Sequence, residues 1–205
     1  MKQGLLIVLS GPSGVGKGTV CRALRRMMPE LVYSVSATTR APRAGEAEGV
    51  DYYYKTREQF QEMIERGALL EYAEYVGNLY GTPREPVERT IAEGKDIILE
   101  IDVKGALQVK RNYPEGVFIF LLPPSLDELR QRISGRGTET AAVIDTRMSE
   151  ASREIGMITE YDYAVVNDEI EAACRRIQSI ITAEHCRRDR IVKEYSGLMP
   201  LIHKA

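Results

Sequence analysis

The sequence predicts an α/β fold: a parallel sheet covered by helices on both faces, with a small mixed lobe inserted into it. Three observations carry this expectation. The chain has four short, mostly apolar runs, at 5–9, 96–101, 117–122 and 163–166, and longer stretches of helical character separate them. Between Ser34 and about Glu85 the alternation gives way to sequence rich in Tyr, Thr, Gly and Arg. Strands buried on both faces lose the in–out alternation of a half-exposed sheet, so unbroken apolar runs point to parallel strands under helices.

In chain order, the first strand, Leu5–Leu9, runs into a glycine-rich turn and then a helix over Thr19–Met28 that Pro29 stops. The inserted stretch 34–85 carries strand-like pieces and one helix near Glu58–Glu65. Beyond it a helix over Val87–Glu93 ends at Gly94, and the strands Asp96–Ile101 and Val117–Leu122 follow. Ser125, three residues before Glu128, has the spacing of a capping box and opens a helix to Ile133. The segment Ser134-Gly135-Arg136-Gly137-Thr138-Glu139-Thr140 is polar and glycine-hinged, the character of a moving cover rather than a core connection. Tyr163–Val166 is the last strand, and one long helix from about Glu169 to Tyr195 closes the fold.

With 205 residues, 43% of them hydrophobic, and a net charge of −2, the chain can bury a sizeable core as one globular unit with inserted lobes. A near-neutral balance argues against nonspecific nucleic-acid binding and leaves small molecules as the expected partners. No apolar run approaches a membrane span, and the start lacks a signal-peptide profile, so a cytoplasmic location is expected. Cys21, Cys174 and Cys186 are odd in number and lack metal-ligand spacing, which predicts reduced structural thiols. His185 and His203, in polar sequence without a paired ligand motif, read as solvated side chains. Leu198, Leu201 and Ile202 in the tail leave two alternatives, docking on the core or packing between subunits of a homo-oligomer.

The most telling chemistry lies in Gly11-Pro12-Ser13-Gly14-Val15-Gly16-Lys17-Gly18-Thr19. Glycines let a backbone curl until several N–H groups converge on anionic oxygens, the following helix adds its positive end, and Lys17 supplies a mobile cation. The stretch therefore reads as a phosphate-binding loop between strand and helix. Gly18 departs from the common pattern, which has a Ser or Thr there for magnesium. The metal is accordingly expected to be held by the nucleotide and water, with Thr19 as the alternative hydroxyl and no direct protein ligand assigned.

Arg40 and Arg43 form a second anion site in the lobe: two forked guanidinium groups three residues apart, kept out of helix by Pro42, with Tyr52 and Tyr80 as neutral donors. A solvated basic loop is the competing reading of these residues alone. Donor and acceptor phosphate sites in one chain imply phosphoryl transfer. The strand Asp96–Ile101 delivers Glu100 and Asp102 to its C-terminal end, where open α/β sheets bind ligands.

Gly11-Pro12-Ser13-Gly14-x-Gly16-Lys17, Ser34-Val35-Ser36-Ala37-Thr38-Thr39-Arg40-x-Pro42-Arg43-x-Gly45-Glu46, Gly77-Asn78-x-Tyr80-Gly81-Thr82 and Gly135-Arg136-Gly137-Thr138-Glu139 together resemble guanylate kinases, in order and spacing, over nearly the whole chain. The resemblance implies a P-loop nucleoside-monophosphate kinase fold: a five-stranded parallel sheet core (1–33, 86–124 and 156–205), a GMP-binding lobe (34–85) and a lid region (125–155). It implies that ATP phosphorylates GMP, and dGMP with it, in the presence of Mg2+. Contacts to the GMP phosphate fall to Ser36, Arg40, Arg43, Tyr52 and Tyr80, and contacts to guanine fall to Glu71 and Thr82. Asp102 would order magnesium-bound water or reach the guanine amino group. ATP would be held by Gly11, Ser13, Gly14, Val15, Gly16, Lys17, Gly18 and Thr19, with Asn167 near its base. Arg132, Arg136 and Arg147 would bring positive charge to the transferring phosphoryl group as the lid closes.

Chemistry supports the guanine assignment separately: N1 and the 2-amino group donate and O6 accepts, so a carboxylate can accept twice while a hydroxyl donates once. Two other functions remain in view. One is a guanylate-kinase-like binding module without catalysis; the other is a related kinase acting on a sugar phosphate.

Overall fold

The computed structural model describes residues 3–135 and 140–195. Five parallel strands form the main sheet: β1 (Leu6–Ser10), β2 (Val32–Tyr33), β7 (Ile97–Glu100), β8 (Val117–Leu122) and β9 (Tyr163–Val166), in the order β2-β7-β1-β8-β9. The lobe holds a second sheet, β4-β3-β6-β5, from β3 (Ala37–Thr38), β4 (Tyr53–Tyr54), β5 (Leu69–Tyr75) and β6 (Asn78–Pro83). The helices are α1 (Lys17–Met27), α2 (Arg57–Glu65), α3 (Arg84–Ala92), α4 (Val103–Asn112), α5 (Leu126–Ser134), α6 (Ala141–Ile155), α7 (Ile170–His185) and α8 (Arg188–Glu194).

The unbroken apolar character of β1 has a direct cause. Leu5, Ile7 and Leu9 pack with Val20, Leu24, Ile177 and Ile181 of α1 and α7, whereas Leu6 and Val8 pack with Val87, Ile91, Ala106 and Val109 of α3 and α4. Both sheet faces are therefore covered, and each fully buried side chain of this kind contributes roughly 1.5–3 kcal/mol. The lobe has its own small core of Ala37, Phe60, Leu69 and Leu79, and α5 and α6 pack through Leu129, Ile133 and Ala151.

Several local expectations are corrected. Helix α1 begins at Lys17 rather than Thr19, because Gly16 takes a left-handed conformation (φ 100°) that turns the loop directly into the helix. Helix α4 was not expected; it starts where the Asp102 carboxylate accepts the Gly105 amide at 2.7 Å. The expected single C-terminal helix is two, because the backbone of Arg187 is extended (ψ 130°) between α7 and α8. Glu184, buried beside this break, accepts the Tyr163 hydroxyl at 2.6 Å and lies 3.5 and 3.6 Å from Arg190 and Arg187. His185 is not a solvated side chain: its Nε2 lies 2.8 Å from Asp96, whose carboxylate also accepts the Leu5 amide. Ser125 caps α5, its hydroxyl accepting the Glu128 amide, but the Glu128 carboxylate turns to Arg132 rather than back to the Ser125 amide, so the cap is one-sided. His203, Leu198, Leu201, Ile202 and Arg136 lie outside the described residues.

Candidate active site

The loop between β1 and α1 lies at the C-terminal edge of the main sheet. Among the described residues the amides of Gly14, Gly16, Lys17 and Gly18 have no protein acceptor, while Val15 closes an internal turn onto the Pro12 carbonyl. Helix α1 has no side-chain cap, so its positive end is open to an anion. The loop conformation needs Gly16: φ is 100°, and a Cβ there would lie 2.7 Å from Nδ2 of Asn167.

Lys17 folds back along the loop, its ammonium donating to the carbonyls of Gly11 (2.6 Å) and Pro12 (3.3 Å). Burial pushes its pKa down, opposed by the carboxylates of Glu154, Glu100 and Asp102. A cation that has lost water and is only partly neutralised suits a ligand bearing several negative charges.

A cleft of about 760 Å³ opens over this loop, lined by Ser13, Lys17, Thr19, Arg22, Glu100 and Arg132 among others. Arg132 clamps the loop from α5, donating to the carbonyls of Val15 (3.2 Å) and Asn167 (3.0 Å) and to Glu128. Asn167 is buried, and its amide donates to Val15 at 2.8 Å, so its side chain braces the loop. Helix α6 reaches the loop twice, through Arg147 to the Ser13 hydroxyl (2.9 Å) and through Glu154 to the Ser13 amide (3.2 Å). Thr19 is exposed, and its hydroxyl accepts from Arg22 at 3.2 Å.

A second cleft, about 260 Å³, is lined by Ser36, Tyr52, Glu71, Tyr80, Glu100 and Asp102 among others. Glu71 is 7% exposed and accepts the Thr82 hydroxyl at 2.6 Å. Burial pushes its pKa up to about 7; the Thr82 bond opposes the shift and the Asp102 carboxylate adds to it. Gly105 makes room for both acids: a Cβ there would lie 3.1 Å from Glu71 Oε2 and 3.3 Å from Asp102 Oδ1. The Thr82 proton points at Glu71, so any bond from this hydroxyl to a base oxygen requires the hydroxyl to rotate.

At the lobe's rim Arg40 is already gripped. Its Nη2 donates to both oxygens of Glu46 (2.9 and 3.0 Å), its Nη1 donates to Ala41, and its guanidinium lies 5.3 Å over the Tyr52 ring. Glu46 also accepts the Arg43 amide and the Tyr54 hydroxyl, each at 2.8 Å, and the Arg40 fork, with these two donors after it, holds its pKa down at about 2. Tyr52 and Tyr80 meet edge to face at 6.0 Å. The Arg43 guanidinium has no partner among the described residues and stands outside both clefts' linings.

Glu46, Tyr54, Arg22, Gly105 and Glu154 received no role from sequence reasoning. Glu46 had a usable signal, a carboxylate six residues from Arg40. Glu154, 141 residues from Ser13, had none.

Two ligand clefts sharing a wall at Glu100, one on a phosphate loop and the other against an inserted lobe, place the chain among the P-loop nucleoside-monophosphate kinases. Known proteins narrow the class. A family profile described as guanylate kinase matches residues 3–184. The chain is 63% identical over 198 residues to a guanylate kinase of Halalkalibacterium halodurans, covering 97% of each. It is 60% identical over 198 residues to one of Bacillus cereus, covering 96% of this chain and 97% of the relative. The crystal structure of guanylate kinase from Anaplasma phagocytophilum superimposes with a TM-score of 0.72 at 37% identity, over 93% of this chain and 90% of that one. The chain belongs to the guanylate kinase family.

Proposed function

We propose that this chain transfers the terminal phosphoryl group of ATP to GMP, and to dGMP, by holding both nucleotides in line and compensating charge, with no covalent enzyme intermediate. One observation carries the reading: Glu100 lines both clefts, so an anion on the loop and a base against Glu71 lie on either side of one wall. The segments 1–33, 86–124 and 156–205 serve as the core, 34–85 as the GMP lobe and 125–155 as the lid.

In this mechanism the free loop amides, Lys17 and Thr19 hold the ATP phosphates, braced by Asn167 and Arg132. Ser36, Arg40, Arg43, Tyr52 and Tyr80 take the GMP phosphate, with Glu46 fixing the Arg40 fork. Glu71 accepts guanine N1–H and one amino hydrogen, Thr82 turns toward O6, and Asp102 either takes the second amino hydrogen or orders magnesium-bound water. Arg132, Arg147 and Arg136 would bring positive charge to the equatorial oxygens, and closure would exclude water.

Among the described residues no cluster of three ligating side chains could hold a metal alone. The hard oxygens of Glu100, Asp102 and Thr19 beside the loop fit magnesium held chiefly by phosphates and water, where it would neutralise charge on the ATP. Glu100 Oε1 stands 3.3 Å from where a Cβ on Gly18 would lie, so a carboxylate takes the region a P-loop hydroxyl usually fills. Free cysteines, two of them buried, fit a reducing cytoplasm.

A panel of GMP, dGMP, AMP and a sugar phosphate with Mg-ATP, read by ADP release, tests the reading. Turnover with both guanine nucleotides is expected, with AMP slower by about 10⁴-fold in kcat/KM. Comparable rates for AMP, or turnover of the sugar phosphate alone, would refute it.

The raised pKa of Glu71 gives a pH prediction with a definite sign. In the free protein the folded state holds this proton more tightly than the unfolded chain, so this group's contribution to stability falls as pH rises from 4.5 to about 7. Guanine donors favour the ionised carboxylate, so GMP should bind about tenfold more tightly at pH ~8 than at pH ~6 and release a proton below pH ~7. Calorimetry in two buffers of different ionisation enthalpy reads that proton. The Glu71→Gln variant supplies the baseline for the phosphate's own titration near pH ~6. Proton uptake, or a pH dependence unchanged in the variant, would contradict the assignment.

A further inference from the structure

Both anion sites of this protein carry a carboxylate, and the two are held very differently. Glu46 accepts two bonds from Arg40, one from the Arg43 amide and one from Tyr54. It is a fixed part of its site. Among the described residues Glu154 accepts one hydrogen bond, from the Ser13 amide at 3.2 Å, and its charge acts on the Lys17 ammonium. It is half-buried on α6, with the carboxylates of Asp102 and Glu150 in its field. A carboxylate in that position, with one long hydrogen bond and other acids nearby, is weakly anchored.

The geometry points to Glu154 as a resident counter-anion of the ATP-phosphate loop, a positioning residue that holds the Ser13 amide and helix α6 against the loop and gives way when ATP phosphates arrive. This rests on reading the loop as the ATP-phosphate site. A phosphate oxygen and the Glu154 carboxylate compete for the same amide within the field of the same ammonium, and side by side in a partly desolvated cleft they repel. Burial already pushes the Glu154 carboxyl pKa up, so the site tolerates its charge poorly.

Arg147 lies seven residues earlier, two turns along α6, and donates to the hydroxyl of the same Ser13. Displacing Glu154 therefore leaves α6 tied to the loop by a cation. The contact between helix and loop changes from carboxylate on amide to guanidinium beside phosphate, and ATP arrival is coupled to the position of the lid helix. Glu154 thus keeps the Ser13 amide arranged for an anion and sets the affinity for it.

Metal-free pyrophosphate binding, measured by calorimetry on the full chain with displacement by ATP and not by GMP as the criterion for the loop site, tests this. Glu154→Gln, which keeps an acceptor for Ser13 and removes the charge, should bind pyrophosphate about tenfold more tightly than the parent and lower KM for ATP without changing KM for GMP. Glu150→Gln, which removes an exposed charge one turn away, should change pyrophosphate affinity less than twofold. Equal or weaker binding by Glu154→Gln overturns the inference, as does an equal gain from Glu150→Gln. If the parent protein bound no ATP-displaceable pyrophosphate, the reading of the loop would fall as well.

Discussion

Replacing Lys17 with alanine lowers kcat by about 10³-fold and leaves the protein folded: that is the expected result, and each half has its own cause. The loop amides are fixed by the backbone and survive the substitution, so ATP still binds, with a KM raised less than kcat falls. What is lost is a cation on the loop itself that can follow charge onto the oxygens between donor and acceptor. Stability should not suffer, because the fold keeps this ammonium charged against burial, which pushes its pKa down. A group whose charged form is disfavoured on folding leaves no deficit when it is removed. Lys17→Met, which keeps the apolar stem, should behave alike. A coupled ADP assay with a thermal melt reads both effects; near-normal turnover in either variant would remove Lys17 from the chemistry.

What could be read from the residues follows from how local each determinant is. The strands of the main sheet were legible because burial on both faces forces continuous apolar runs, and the phosphate loop because its glycines answer backbone geometry within nine residues. Helix α4 was hidden by Gly105 in its first turn, a poor helix former whose missing side chain accommodates Glu71 and Asp102 from elsewhere in the chain. Strand β2 has two residues and leans on β7 for its register, too little for a pattern to register. The β5–β6 hairpin turns through Val76 and Gly77, with Val76 at φ 48°, a conformation a β-branched residue rarely adopts, so no turn signal marked it.

The candidate site divides in the same way. Lys17, Arg40 and the tyrosines stood out by type and spacing. The partners that hold them did not: Asn167 and Arg132 brace the loop from far along the chain, and Glu154 meets Ser13 only because tertiary packing brings α6 to the loop. The sequence reading of Asn167 as a neighbour of the ATP base overlooked this use of its side chain. Ligand contacts are matters of residue chemistry, whereas the bracing of those contacts is a matter of tertiary packing.

Glu71→Gln carries the largest expected change in base selectivity. In the parent the Glu71 carboxylate has one oxygen on the Thr82 hydroxyl and the other toward Asp102 and the cleft. An amide in its place keeps its oxygen on Thr82, the only donor of the two neighbours, which turns the NH2 toward the base and Asp102. Guanine then presents N1–H to an N–H, a donor against a donor, and both lose water without gaining a bond. Adenine presents an unprotonated N1 that accepts the new donor.

The guanine-to-adenine ratio in kcat/KM should therefore fall by about 10⁴-fold, most of it from loss of GMP turnover. The fold should be unharmed or firmer, since the substitution removes a buried charge that the site holds only with its pKa raised to about 7. Glu71→Ala separates the two effects: it should lose GMP activity comparably and gain nothing with AMP, because no donor replaces the carboxylate. Side-by-side kinetics with GMP and AMP decide the matter. A Glu71→Gln enzyme that still prefers GMP by the parental ratio would show that guanine is read by other groups, and the base would have to be placed elsewhere in the cleft.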